Sequence, residues 1–100
     1  VKFNDCVLDF SSFANKKMAK TKFTKCSMQD VNFAGTNLLK AVFEEVNLNG
    51  ASFERTNLTE ADLSKAFNFS IDPENNVIKK AKFSLKDAGG LLEKYNLKLV

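Results

Sequence analysis

The sequence predicts an all-β solenoid: a four-sided parallel coil of about four turns, closed by a short helical cap. Three observations carry that prediction. A large apolar residue recurs at every fifth position from Phe3 to Leu63. Two places before nearly every one stands a small or β-branched residue, and from Phe3 to Phe53 the large residues alternate between Phe and Leu or Met.

The five-residue spacing belongs to neither regular structure. On an α-helix of ~3.6 residues per turn, successive anchors would lie ~140° apart and scatter around the cylinder. On a continuous strand, side chains alternate faces, so every second anchor would point away from the core. A chain that bends once per phrase, always in one sense, turns every anchor inward. Such a chain makes a coil, and coils stack into a solenoid.

The alternation favours an even number of phrases per coil, because like residues then stay in register from level to level. Four phrases, or twenty residues, is the smallest even number that encloses a packed interior. Phe3, Phe23 and Phe43 then form one column, continued by Leu63, with Phe13, Phe33 and Phe53 on the opposite wall. Leu8, Met28 and Leu48 fill a third column, and Met18, Leu38 and Leu58 a fourth. Levels paired like strands lie ~4.8 Å apart, close enough for offset ring stacking.

The phrase ADLSK at 61–65, with TNLTE, VNLNG, TNLLK and VNFAG as variants, resembles the A(D/N)LXX pattern of the pentapeptide repeat family over residues 1–66. That resemblance implies a right-handed quadrilateral β-helix with four phrases per coil. Some members of the family protect DNA gyrase and topoisomerase IV from quinolones or toxins by imitating the size and negative charge of duplex DNA. This sequence departs from that pattern, since a DNA mimic needs an extended acidic surface and the net charge here is +3.

The periodicity breaks after residue 66. Asn68 and Pro73 occupy the next two anchor slots and neither can serve, so 67–77 reads as a loop with Phe67, Phe69 or Ile71 turned inward. Phase returns at Ile78 and Phe83, each twenty residues beyond an earlier anchor, so 78–83 is expected to close a partial coil and complete the β-helix of 1–83. From Ser84, a plain N-cap type, Leu85, Ala88, Leu91, Leu92 and Tyr95 have helical spacing and predict a helical cap over 84–100. Gly89 and Gly90 weaken that helix by ~1 kcal/mol each unless backbone must approach closely there. Leu97 and Leu99 alternate as in a short edge strand. Solenoid ends invite association, so a homodimer contact through an end is a second expectation for the tail.

One hundred residues make one domain. The absence of a signal peptide or a membrane-length apolar run makes a soluble cytoplasmic domain, of bacterial type by the resemblance, the default. The pattern is already running at Val1, which reads as a piece of a longer protein. Cys6 and Cys26, twenty residues apart, should stack as inward thiols; the side-chain dihedral of a disulfide fits parallel Cβ vectors poorly. Without His or a second Cys pair, no metal is expected.

Lys16 is the anomaly of the small set, and a buried lone ammonium would be costly, so it should reach water. It joins Lys17, Lys20, Lys22 and Lys25, with Lys40 above Lys20, in a basic edge. That edge is either a solvated face or a contact for phosphate or an acidic protein surface. No aromatic platform is interleaved with it, which argues against binding of single-stranded nucleic acid.

Glu44, Glu45, Glu54, Glu60 and Asp62 face outward on a convex wall, without the cleft that acid–base chemistry needs. Outward Asn37, Asn47 and Asn57 are expected to bond to backbone and to one another, and Gly35 and Gly50 to take positive φ at turns. No phosphate loop, nucleophile elbow or zinc spacing occurs, so no catalytic residue and no cofactor are expected. The expected role is a non-enzymatic scaffold binding another protein through its walls, the alternative being gyrase protection.

Overall fold

The computed structural model describes residues 2–84 and 86–91. Five strands, β1 (Lys2–Asn4), β2 (Lys22–Thr24), β3 (Val42–Asn47), β4 (Asp62–Phe67) and β5 (Lys82–Phe83), form one parallel sheet in sequence order. Lys2 pairs with Lys22, Lys22 with Val42, Val42 with Asp62 and Asp62 with Lys82, a step of twenty residues each time. Three further walls are held by isolated parallel bridges with the same step, such as Val7 to Ser27, Ser12 to Asn32 and Lys17 to Asn37. Extents of 37 × 23 × 23 Å describe a square tube standing on its end.

The interior follows from the anchors. Phe3 stacks on Phe23 with centroids 5.1 Å apart, and Phe23 on Phe43 at 5.0 Å, both near parallel. On the facing wall Phe13 stacks on Phe33 at 5.7 Å and Phe33 on Phe53 at 5.2 Å. The two columns meet edge to face across the tube, Phe33 lying 6.0 Å from Phe43 at 88°. Offset stacks along the axis and T-shaped contacts across it are the two arrangements the ring quadrupole favours. Met28, Leu38, Leu48, Leu58 and Leu63 fill the remaining space and are fully buried. In the first coil, Leu8 and Met18 are half-buried, each with one neighbouring level.

The small set lies where the wall meets the corner, and three of its buried members bond to the coil below. Thr36 and Thr56 donate their hydroxyls to the carbonyls of Phe13 and Phe33 at 2.8 and 2.7 Å. Cys26 makes the weaker equivalent contact to the Phe3 carbonyl at 3.4 Å. A hydroxyl in a dry core keeps its place only with such a partner.

The fourth coil departs from the pattern. Phe67 completes β4 and remains 39% exposed, so it belongs to the strand and not to the expected loop. Asn68 takes φ 62°, and Phe69 and Ile71 turn inward and are buried. Val77 at the far end of the loop bridges Asn57. Ile78 and Phe83 pack on the end of the core, Phe83 lying 5.4 Å from Phe69.

The helical cap expected over 84–100 falls only in part within the described residues. The described part is one 3-10 turn, Ala88–Leu91. Ser84 does cap a turn, its hydroxyl accepting from Asp87 N at 3.2 Å and donating to Asp87 Oδ2 at 3.0 Å. The reason for the tighter turn is the docking of backbone on the tube end. Ile71 N donates to Gly90 O at 2.9 Å, and a Cβ on Gly90 would overlap the Phe69 carbonyl oxygen and press on its ring. Leu85, Leu92, Tyr95, Leu97 and Leu99, and with them the rest of the expected cap and the edge strand, lie outside the described residues.

Two outcomes test this account. Phe33→Ala, which empties a site between two stacked rings, should cost about 3–5 kcal/mol in denaturant unfolding, and half-buried Phe3→Ala distinctly less. Gly90→Ala should cost about 1–3 kcal/mol by overpacking, and a neutral melting temperature would contradict the close approach.

Candidate interaction surface

With the interior filled, whatever the chain recognises must be recognised by its walls and corners. Each corner needs a residue in left-handed conformation at every fifth position. Asp5, Phe10, Asn15, Lys20, Lys25, Asp30, Lys40, Glu45, Arg55 and Glu60 all have φ between 53° and 65°, and Gly35 and Gly50 have 68° and 76°. Such a backbone costs an L-residue roughly 1–2 kcal/mol. Part of that cost is offset by the outward polar residue three places earlier. The side-chain oxygens of Asn32, Asn37, Asn47, Asn57 and Asp62 accept the amides of Ala34, Leu39, Asn49, Thr59 and Ser64 at 2.9–3.1 Å. The asparagines therefore close their own turns. The expected ladder between asparagine side chains is limited, among the described residues, to Asn68 donating to Asn47 at 3.2 Å.

The lysines are sorted by the same geometry. Lys20 and Lys40 stand one above the other on a single corner, with Lys16 and Lys17 on the wall leading to it, all four exposed. Lys16 reaches solvent where Thr36 and Thr56 are buried. Lys22 is on the next wall, 3.6 Å from Glu44, which also meets Lys65 at 3.7 Å. Lys25 stands on the following corner, so the expected edge of Lys17, Lys20, Lys22, Lys25 and Lys40 spans a full wall. That second corner reads Asp5, Lys25, Glu45 from coil to coil, alternating in sign, whereas the first places Lys40 directly on Lys20. Among the described residues, ion pairs engage only Lys22 and Lys65.

A crevice of about 60 Å³ opens between β3 and β4, lined by Val42, Phe43, Glu44, Asp62, Ser64 and Lys65. It follows a register shift, Val42 opposing Asp62 but Glu44 opposing Lys65. Burial pushes the Asp62 carboxyl up, but the Ser64 hydroxyl and amide, then Lys82 and Lys65, outweigh it and hold the group below its usual range. A carboxylate so held is poorly matched to proton transfer at neutral pH. Burial pushes the Cys26 thiol up. Cys6, which donates to Asn4 O at 3.3 Å, is only half-buried, and both thiols are free. Among the described residues, no group of His, Cys, Asp or Glu could hold a metal ion.

Two contributors escaped the sequence reading. Asn76 takes the slot above Thr56, donating to the Phe53 carbonyl at 3.0 Å and accepting from Thr56 N at 3.0 Å. Its phase, two places before Ile78, was the available signal. Asp9 ties the first coil to the second, accepting from the Ser27 hydroxyl at 2.7 Å and Gln29 N at 2.9 Å, and no spacing announces it.

Comparison with known proteins bears on the fold. A search of curated proteins finds no match. HetL, a pentapeptide repeat protein involved in heterocyst differentiation regulation from the cyanobacterium Nostoc sp. strain PCC 7120, superposes with a TM-score of 0.72 at 18% identity, covering 78% of this chain and 36% of that one. A trypsin-treated variant of QnrB1, a plasmid-mediated fluoroquinolone resistance protein, superposes with a TM-score of 0.77 at 14% identity, covering 97% of this chain and 47% of that one. This chain therefore spans less than half the length of either, and at these identities the likeness is one of fold. The model for pentapeptide repeats matches with eight copies over residues 2–39 and 36–67. The chain belongs to the pentapeptide repeat family and is built as its right-handed β-helix.

Proposed function

We propose that this domain is a non-enzymatic scaffold whose basic corner binds an acidic surface of another protein. The observation that carries the reading is the contrast between the two corners. Where Asp5, Lys25 and Glu45 alternate, each charge has an opposite neighbour one level away, ~4.8 Å along the axis. Lys20 and Lys40 are like charges at the same separation, exposed, and joined by Lys16 and Lys17, with opposite charge on that corner only at Glu60, one level beyond Lys40. Like charges directly opposed across paired strands are destabilising, so the pair weakens the fold slightly and favours an external anion. A charged patch of this kind steers association and selects partners by sign more than it adds affinity.

Protection of gyrase by DNA mimicry is the alternative reading, favoured by the structural likeness to QnrB1 over nearly the whole chain. Charge opposes it, because mimicry of duplex DNA needs negative walls and the exposed corner here is positive. Nucleic-acid binding at the same lysines is opposed by Glu60 and Asp62, which follow Lys40 and Val42 on the next coil.

The discriminating experiment is affinity capture from native extract with the wild type and with Lys17→Glu/Lys20→Glu/Lys40→Glu. A specific protein partner should be recovered at least about tenfold less well by the variant, a coupling of ~1.4 kcal/mol or more. Equal recovery of every partner removes the basic corner from the account. Capture of nucleic acid that collapses steeply with salt would favour phosphate contacts instead, and clear protection in a gyrase supercoiling assay with quinolone would favour mimicry.

A further inference from the structure

In the first three coils the corner amides outside the strands donate to the coil above. Asp30 N reaches Asn49 O at 2.9 Å, Gly35 N reaches Glu54 O at 2.8 Å, Lys40 N reaches Thr59 O at 2.9 Å and Glu60 N reaches Lys79 O at 2.8 Å. Among the described residues, the amide of Gly50 has no such acceptor. The nineteen-residue step from Asp30 to Asn49 assigns it the carbonyl of Phe69. The chain has left register there: Asn68 takes φ 62°, and the Phe69 carbonyl lies against Gly90 of the cap. Asn49, which precedes the free amide, is exposed, and Asn49–Gly50 is the one Asn–Gly pair in the sequence.

We propose that Asn49–Gly50 is a site of spontaneous modification, at which Asn49 converts through a succinimide to aspartate and isoaspartate. Hydroxide removes the Gly50 amide proton, and the nitrogen lone pair attacks Asn49 Cγ. A bond forms between Gly50 N and Cγ; the bond from Cγ to the carboxamide nitrogen breaks, and that nitrogen leaves as ammonia with a proton from water. Water then opens the ring at either carbonyl, leaving the backbone through the original carbonyl or through Cγ. No oxidant or cofactor enters the balance. Glycine adds no side chain to crowd the closing ring, and among the described residues its amide has no hydrogen bond to surrender first.

Asn32, Asn37, Asn47 and Asn57 are protected by the features Gly50 lacks. The amides after Asn32, Asn37, Asn47 and Asn57 are those of Phe33, Leu38, Leu48 and Leu58, which donate to the next coil at 2.7–3.0 Å. Their own side-chain oxygens are engaged by backbone amides at 2.9–3.1 Å. Conversion at Asn49 has consequences for this corner. A new carboxylate would arise beside Asp30, whose own carboxylate occupies the space a Cβ on Gly50 would need. The isoaspartyl form would also lengthen the backbone by one methylene in a wall whose corners are spaced by five residues.

The test is to age the intact, folded protein at mildly alkaline pH and map its peptides by mass spectrometry with isoaspartyl-directed methylation. A free peptide spanning Asn49–Gly50 serves as reference. Modification is expected at Asn49 first, at a rate within about tenfold of the free peptide because no local opening is required, and rising with hydroxide concentration. Asn32, Asn37 and Asn57 should remain intact, and Asn49→Gln should remove the signal. Survival of Asn49 while the free peptide converts would sink the proposal, as would earlier modification at Asn68 or Asn75.

Discussion

In the regular coils each residue of the tube sits on the residue twenty places away, and the rest of the structure depends on whether the two tolerate each other. Inside, sameness is an advantage. Phe on Phe gives near-parallel rings 5.0–5.7 Å apart, a geometry that maximises dispersion and offsets the ring quadrupoles. Outside, sameness is a liability, because a charge repeated on the next level meets itself. One corner avoids this by alternating sign, and Glu44 draws in both Lys22 and Lys65. The corner of Lys20 and Lys40 does not avoid it, and a local arrangement that runs against stability directs attention to function.

The corners carry the conformational cost of the fold. A left-handed residue is needed at each, and the chain supplies it mostly with polar side chains, helped by an asparagine or aspartate that closes the turn from within. Glycine would be conformationally easier, yet the chain uses it at two of these corners only. Lysine, aspartate and glutamate at corners project charge clear of the wall. Phe10 is the outlier: at φ 65° and 79% exposed, it combines backbone strain with an uncovered ring. Val7, on the adjoining wall, is similarly uncovered at 78%.

Legibility in the sequence tracked how directly a feature depends on period. The columns Phe3–Phe23–Phe43 and Phe13–Phe33–Phe53 were readable because each anchor repeats a constraint that thirteen positions share. The inward turn of Phe69 and Ile71 was readable as a set of candidates, since the slots of Asn68 and Pro73 had to be filled by something apolar nearby. The role of Asn76 was hidden, because an amide reads as loop unless its phase with Thr56 is followed through the irregular segment. The sorting of lysines into paired and unpaired sets was hidden too. It depends on which corner turns between Lys20 and Lys25, and on the shift that brings Lys65 to Glu44. The docking at Gly90 was readable only as a condition on the paired glycines, because periodicity sees side chains while this turn docks through its backbone.

Ending a periodic structure is harder than continuing it, and the consequences travel one level down. To close the tube, the chain gives up a regular corner at residue 65, takes its left-handed turn at Asn68 instead, and sends Phe69 and Ile71 into the end of the core. That buries two large apolar side chains, a gain of roughly 1.5–3 kcal/mol each before entropy. The same shift turns the Phe69 carbonyl toward Gly90 and leaves the third coil with a corner amide that its counterparts at Asp30, Gly35 and Lys40 do not have free. Asn76 restores the interior ladder by bonding to Phe53 and Thr56, so the core resumes its register before the outer corner does. Closure therefore protects the inside of the tube at the expense of one exposed backbone position, which is where chemistry requiring a free amide can begin.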